Sequence, residues 1–281
     1  MPFKASFKKD FDIKDKKIFL SSEYLALNLK KFKKITGSRL GSILGKNKYT
    51  SPVKTWAMMT NIYYEEMDET LSKVGNVIEP KIKDYVQEQI GIKFKQYNPF
   101  AVKWDLFSDN PIFGGIPDGE PIDDQDKFIY DKGCPMLEIK TTSIDSFVYK
   151  TENGVLKMQK DKNNIPLVKI PNGKMESWYD NNKKLVIPTE YELQLSLYLY
   201  LRNVTKGLFA VAFLEKEYYA NPDAFNPNKS KIEFAEIDLD RNNFEKIITI
   251  AKEWFEKYIT TGISPELSPS DELWIKEMLK N

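Results

Sequence analysis

Two short strings in this 281-residue chain carry the residue types that could do chemistry: Ile116-Pro117-Asp118-Gly119 and Met136-Leu137-Glu138-Ile139-Lys140-Thr141-Thr142. In the second, apolar Leu137 and Ile139 alternate with Glu138 and Lys140. A β-strand sends successive side chains to opposite faces, so Glu138 and Lys140 share one face. Asp118 ends a preceding apolar run. If the two segments pair as a bent hairpin, its carboxylate reaches the same point as that of Glu138. Two acids and a lysine suit phosphodiester hydrolysis. Hard oxygen ligands hold Mg²⁺ or Mn²⁺, the metal polarises the phosphate and lowers the pKa of a bound water, and the lysine orients that water or offsets negative charge. The same string also describes an exposed hairpin with an ordinary cross-strand ion pair, and these residues by themselves leave both readings open.

Composition removes many competing chemistries. The chain has no histidine, which excludes His-based acid–base catalysis, Ser-His-Asp triads, His-Cys dyads and nearly every ordinary zinc site. Its single cysteine, Cys134, excludes an intrachain disulfide and a cysteine-ligated iron–sulfur cluster. Cys134 itself reads as packing or turn filler before a buried strand. The net charge of +1 is that of no polycation. Lys30, Lys31, Lys33 and Lys34 nonetheless cluster, either as a local surface for a phosphate backbone or as a solvated helix face. No run reaches the roughly 18 apolar residues of a membrane span, and the N-terminus lacks the apolar core of a signal peptide. The cytoplasm is the expected address.

The elements that must position the trio read as follows. Residues 1–20 are charged and weakly patterned and are expected to form a partly ordered arm. Ser21 or Ser22 caps a helix through about Lys34, with Tyr24, Leu25, Leu27 and Leu29 as candidate buried positions. A short helix over 38–44 and another opening at Ser51-Pro52 follow. A long helix from Asp68 or Thr70 to Ile90, closed by Gly91, contains Glu79-Pro80, where it is expected to kink or restart. Strands are predicted at roughly 93–97, 100–105, 112–118, 127–131 and 136–142. The polar stretch 150–187 reads as an inserted hairpin or flap. Thr189 and Glu192 have capping-box spacing ahead of a helix that carries Gln194 in an otherwise apolar setting. Strands at 208–215 and 232–238, a helix over about 241–260 and a C-terminal helix within 266–281 complete one α/β domain with an N-terminal helical portion.

Four blocks in this order resemble the phage lambda exonuclease family, also called the YqaJ-like viral recombinases, a branch of the PD-(D/E)xK nuclease superfamily. They are Ile35-Thr36-Gly37-Ser38, the Gly75 to Glu79-Pro80 helix, the Asp118/Glu138/Lys140 core, and Tyr191-Glu192-Leu193-Gln194. The resemblance covers about residues 30 to 215. It implies a restriction-endonuclease-like core, a central mixed sheet flanked by helices, in a metal-dependent exonuclease digesting duplex DNA from the 5′ end. By the same resemblance, Asp118, Glu138 and the Ile139 carbonyl hold Mg²⁺ or Mn²⁺, with Glu79 binding the metal or a water on it. Lys140 positions or activates the attacking water, Gln194 holds Lys140 or the substrate, and Ser38 binds a terminal 5′-phosphate. The family often places an arginine seven residues before that serine. Here the position is Lys31, which binds phosphate with less directional control. The family's partners are double-stranded DNA, a single-strand annealing protein and, as a homotrimer, its own copies. The rivals are an endonuclease of restriction or repair type and a catalytically silent DNA-binding protein.

Overall fold

In the computed structural model, which describes residues 4–65, 68–152 and 155–280, the chain begins with a hairpin, β1 (Phe11–Lys14) and β2 (Lys17–Leu20), and then α1 (Ser22–Asn28), α2 (Gly37–Ile43), α3 (Pro52–Met59) and α4 (Glu69–Ile90). Short strands β3 (Lys93–Lys95) and β4 (Glu120–Ile122) lead into β5 (Met136–Ser143). The insertion holds β6 (Ser146–Phe147), β7 (Tyr149–Glu152), β8 (Val155–Met158), β9 (Val168–Ile170) and α5 (Gly173–Glu176). The remainder is α6 (Thr189–Arg202), β10 (Lys206–Leu214), α7 (Glu217–Ala220), β11 (Lys231–Asp238), α8 (Arg241–Trp254) and α9 (Pro269–Lys280).

Strand β10 organises the rest. From Gly207 to Leu214 every residue is buried, as expected of a strand covered on both faces. It pairs in parallel with β5 and antiparallel with β11, which makes a mixed sheet of order β11-β10-β5. One face of β10, with Leu208, Ala210, Ala212 and Leu214, packs with Leu137 and Ile139 against Val74, Ile78, Ile82 and Val86 of α4. The other face, with Phe209, Val211 and Phe213, joins Met136 and the helices α2, α3, α6 and α8. The period-2 alternation of β5 therefore delivers Glu138 and Lys140 to the α6 side while Leu137 and Ile139 face α4.

Long helices follow their end signals. Asp68 accepts from the backbone N–H groups of Thr70 (2.8 Å) and Leu71 (3.2 Å), and Gly91 closes α4 with φ +67°. Pro80 does not break this helix: it runs continuously through the proline, because one stripe of Val and Ile holds it against the sheet from both sides of that position. Helix α6 starts at Thr189 after Pro188 without a side-chain cap, so the capping-box reading of Thr189 and Glu192 is corrected. Helix α1 ends at Asn28 and buries no residue fully: Tyr24 packs against the core part-buried, while Leu27 is 73% exposed. Within the arm, the described residues form the β1–β2 hairpin. Phe11 and Ile18 are buried, and the Ile18 N–H donates to the Ser264 hydroxyl at 2.9 Å, which ties the hairpin to the C-terminal region.

The region between β3 and β4 contains no strand at 100–105, and the expected strand at 112–118 shrinks to a parallel bridge between Phe113 and Ile35. At 127–131 there is an isolated bridge at Phe128 and then a single 3₁₀ turn, Tyr130–Lys132. In the 150–187 stretch, β7 and β8 pair as the hairpin that the polar composition suggested, and Trp178 anchors the insertion in the main core. Helix α9 packs on the body through Ile275 and Met278. No helix among the described residues is long and apolar enough to cross a membrane.

Candidate active site

Asp118 and Glu138 are brought together as the alternation and the hairpin argument require. Gly119 bridges Leu137 antiparallel, with N–H···O distances of 3.2 and 2.9 Å in the two directions. Beyond this bridge the Asp118 carboxylate caps the next open position on β5, accepting the Ile139 N–H at 2.8 Å. Along a strand the N–H and C=O of residues i and i+2 point the same way. Since Leu137 faces Gly119, the Ile139 carbonyl faces the Asp118 side. Two carboxylates and one carbonyl oxygen thus converge at the edge of β5.

Glu138 is completely buried. Its Oε1 accepts from Lys140 Nζ at 2.6 Å and from Gln194 Nε2 at 2.5 Å, and the Gln194 Oε1 accepts from Lys140 at 3.1 Å. Lys140 also lies 4.7 Å from the centre of the Tyr191 ring. Glu138, Lys140 and Gln194 therefore form a closed triangle in which each polar group fixes the other two. The triangle leaves Glu138 Oε2 buried and without a hydrogen-bond partner. An orphaned carboxylate oxygen is costly unless a cation or proton meets it.

The electrostatics express the same demand. Burial, and then the charge of Asp118, push the Glu138 carboxyl up to about 8 against the pull of Lys140. Glu79 is raised too, by burial first and by Asp118 next. Burial lowers the Lys140 ammonium, but Glu138 and Asp118 outweigh it and hold it above its ordinary value. Glu138 and Glu79, each raised by the charge of Asp118, are poorly served by protein cations alone. The donor set, two carboxylates and a carbonyl with no nitrogen or sulfur, is that of a hard divalent cation such as Mg²⁺ or Mn²⁺. The residues fit such an ion. Among the described residues no three acidic side chains already stand close enough to hold a metal. Glu79 meets the other two through its charge rather than as part of a closed ligand set.

A cavity of about 1030 Å³ opens in front of these groups, lined by Ser38, Glu79, Asp118 and Ile139 among others. Ser38 reaches it because Ile35 is clamped to the strand-like segment before Asp118: the Ile35 N–H donates to the Ile112 carbonyl and the Gly114 N–H to that of Ile35. Helix α2 then lies so close to α6 that a Cβ on Gly37 would stand 2.6 Å from Gln194 Cγ. Lys31, at the end of a 3₁₀ turn, is exposed and does not line the cavity. Lys33, Lys34 and Arg39 do.

Two further residues belong to the site and were not singled out from the sequence. Lys83, buried one helical turn after Glu79, donates to the Asp118 backbone carbonyl; burial lowers its pKa while Asp118 and Glu79 pull it back up. Tyr198, one turn after Gln194, lines the cavity, and its hydroxyl crowds Gly115. Both stand four residues from a recognised position, so helical spacing was the available signal. Gly115 has φ +129°, and a Cβ there would lie 2.6 Å from the Tyr198 hydroxyl oxygen. Gly115→Ala is therefore expected to cost about 2–4 kcal/mol from backbone strain and overpacking together, read as a lowered urea midpoint.

Comparison with known proteins bears on the family and the fold. The model of the YqaJ-like viral recombinase domain matches residues 24–205. Protein MG373 of Mycoplasma genitalium is 51% identical over 277 residues, 99% of each chain, and its homolog in Mycoplasma pneumoniae is 50% identical over the same length and coverage. Among solved structures, a phage-related exonuclease from Haemophilus somnus superposes with a TM-score of 0.50 at 12% identity, covering 83% of this chain and 98% of that one. An alkaline exonuclease from Laribacter hongkongensis gives 0.49 at 14% identity, covering 92% and 99%. The likeness is one of fold: a mixed sheet flanked by helices, of the PD-(D/E)xK type.

Proposed function

The chain belongs to the YqaJ-like viral recombinase family, and on that premise we propose that it is a metal-dependent exonuclease that hydrolyses duplex DNA from the 5′ end. One observation carries the reading. Asp118, Glu138, Lys140 and Gln194 meet at the edge of the sheet, with Glu138 Oε2 left unpartnered and with Asp118 and Ile139 in the wall of the cavity.

Asp118, Glu138 and the Ile139 carbonyl, with Glu79 behind them, would hold Mg²⁺ or Mn²⁺, which would supply Lewis acidity to the site. The protein's own groups do the rest. Lys140, kept cationic by its two acidic neighbours, orients the water and offsets the charge that builds on the phosphate. Gln194 prevents Lys140 and Glu138 from turning away from each other. Ser38 offers its hydroxyl to a terminal 5′-phosphate at the cavity wall, while Lys31, outside the wall, adds charge along the approaching backbone. The same reading brings a ring-shaped homotrimer around the duplex and a single-strand annealing protein that takes up the exposed strand.

The test is digestion of a linear duplex, labelled and phosphorylated at one 5′ end, with Mg²⁺, beside a covalently closed circle and an EDTA control. Mononucleotides from the labelled strand, an intact circle and no product in EDTA are expected. A cut circle would place the protein with the endonucleases. The absence of any metal-dependent cleavage would leave DNA binding as its role.

A further inference from the structure

The loop joining β3 to the Gly114–Asp118 segment carries two large aromatic rings out of the fold. Phe100 is 78% exposed and Trp104 61%, and they meet edge to face at 5.3 Å. The loop is built to hold them there. Asn98 accepts from the N–H groups of Phe100 (2.9 Å) and Ala101 (3.3 Å), and the Trp104 N–H donates to the Pro99 carbonyl at 2.8 Å. Its base is locked by Asp105, which accepts from Gly115 N–H at 3.1 Å and pairs with Lys34 at 2.6 Å. Lys103 and Trp104 both have left-handed backbone, with φ +51° and +63°. That conformation is costly for side chains with a Cβ and persists only where surrounding bonds impose it.

Exposed aromatic rings of this size are normally buried, and these do not stand on a random face. Trp104 and Lys103 line the same cavity as Asp118 and Glu79, and Lys33 and Arg39 are also in its wall. An apolar partner protein would not be drawn to a rim set with cations. A nucleic-acid strand would: its phosphates meet the lysines and arginine while its bases offer flat π-faces to the rings. Resting on the nuclease reading above, we propose that Trp104, extended by Phe100, is a base-stacking platform at the mouth of the cavity, holding an unpaired base of the strand that enters the active site. Its contribution is independent of sequence, because every base has a face to stack, and it favours ends that fray.

The experiment measures binding of a short 5′-phosphorylated duplex with a frayed end, with Ca²⁺ in place of Mg²⁺ to prevent turnover, and cleavage by the same preparation in Mg²⁺. Tryptophan fluorescence of the wild-type protein is expected to fall on binding. Trp104→Ala is expected to lose that signal and to weaken binding by about 5- to 100-fold, while Trp104→Phe keeps most of the affinity. The dependence of affinity on salt is unchanged in Trp104→Ala, whereas Lys103→Ala lowers the salt slope by about one. Wild-type affinity in Trp104→Ala, from a preparation that cleaves DNA, would overturn the platform and leave the nuclease standing. A shift of oligomeric state with unchanged DNA affinity would overturn it too, by giving the rings to a second copy of the chain. A wild-type protein that neither binds nor cuts DNA would remove both readings.

Discussion

Lys140→Ala is expected to lower single-turnover cleavage by about 10²–10⁴-fold while leaving divalent-cation binding in place. The ammonium is fixed on one side by Glu138 at 2.6 Å, on another by Gln194 at 3.1 Å, and on a third by the face of Tyr191. No rotation of another side chain can bring a replacement charge to that point without opening this triangle. Among the described residues the other lysine buried beside the acids, Lys83, is committed to the Asp118 carbonyl from helix α4. The carboxylate Oε2 of Glu138, in contrast, takes nothing from Lys140, so the oxygens available to a cation survive the substitution. Removing one member of a buried ion pair normally destabilises a fold by several kcal/mol. Here a bound divalent ion can compensate Glu138 from its free side. The check is Mn²⁺ titration calorimetry beside rapid-quench digestion: retained titration with lost turnover separates the role of the lysine from that of the acids. Turnover at the wild-type rate would sink the mechanistic assignment.

How far such a site could be read from the chain depends on the kind of signal each residue leaves. Glu138 and Lys140 were legible because strand alternation is a local rule, and the same rule divided Leu137 and Ile139 from them onto the α4 side of the sheet. Asp118 was legible only conditionally, since its approach depends on a bridge of one residue pair, Gly119 to Leu137. Gln194 was marked by being polar in an apolar helix. Lys83 and Tyr198 left weaker traces: a lysine in a charged helix and a tyrosine among tyrosines look like surface and core until the partner across the cavity is known.

The errors have equally specific causes. Between Gln96 and Gly114 the apolar residues suggested strands, yet Asn98, Asp105 and Asn110 each draw nearby backbone N–H groups to their side chains. Such local bonds compete with a ladder and win where no neighbouring strand is available. At Pro80 the local rule allowed a kink or a restart; the helix does not restart there, and packing of α4 across the sheet carries it through. The hairpin at Phe11–Leu20 was hidden because its anchors, Ser264 and Gly262, lie near the other end of the chain.

Asp118→Asn is expected to abolish both cleavage and the response of stability to Mg²⁺, while altering stability in EDTA by less than about 1 kcal/mol. The near-isosteric amide still offers an oxygen to the Ile139 N–H, so the bond that docks this residue on β5 can be kept. Loss of the negative charge relieves Glu138 and Glu79, both of which are raised by Asp118. It also deprives Lys83 and Lys140 of an attractive neighbour, and the two effects oppose each other. In Mg²⁺ the balance differs. A ligand that binds only the folded state raises stability by about 2.7 kcal/mol at a hundred times its dissociation constant, and that gain requires a ligand set with the Asp118 charge. Thermal melts of wild type and variant, each with EDTA and with a Mg²⁺ series, read both terms. The wild-type midpoint should climb with Mg²⁺ and the variant's stay level. Parallel climbs in the two proteins would show that Asp118 is not part of the cation site and that the acids at the edge of β5 serve the fold instead.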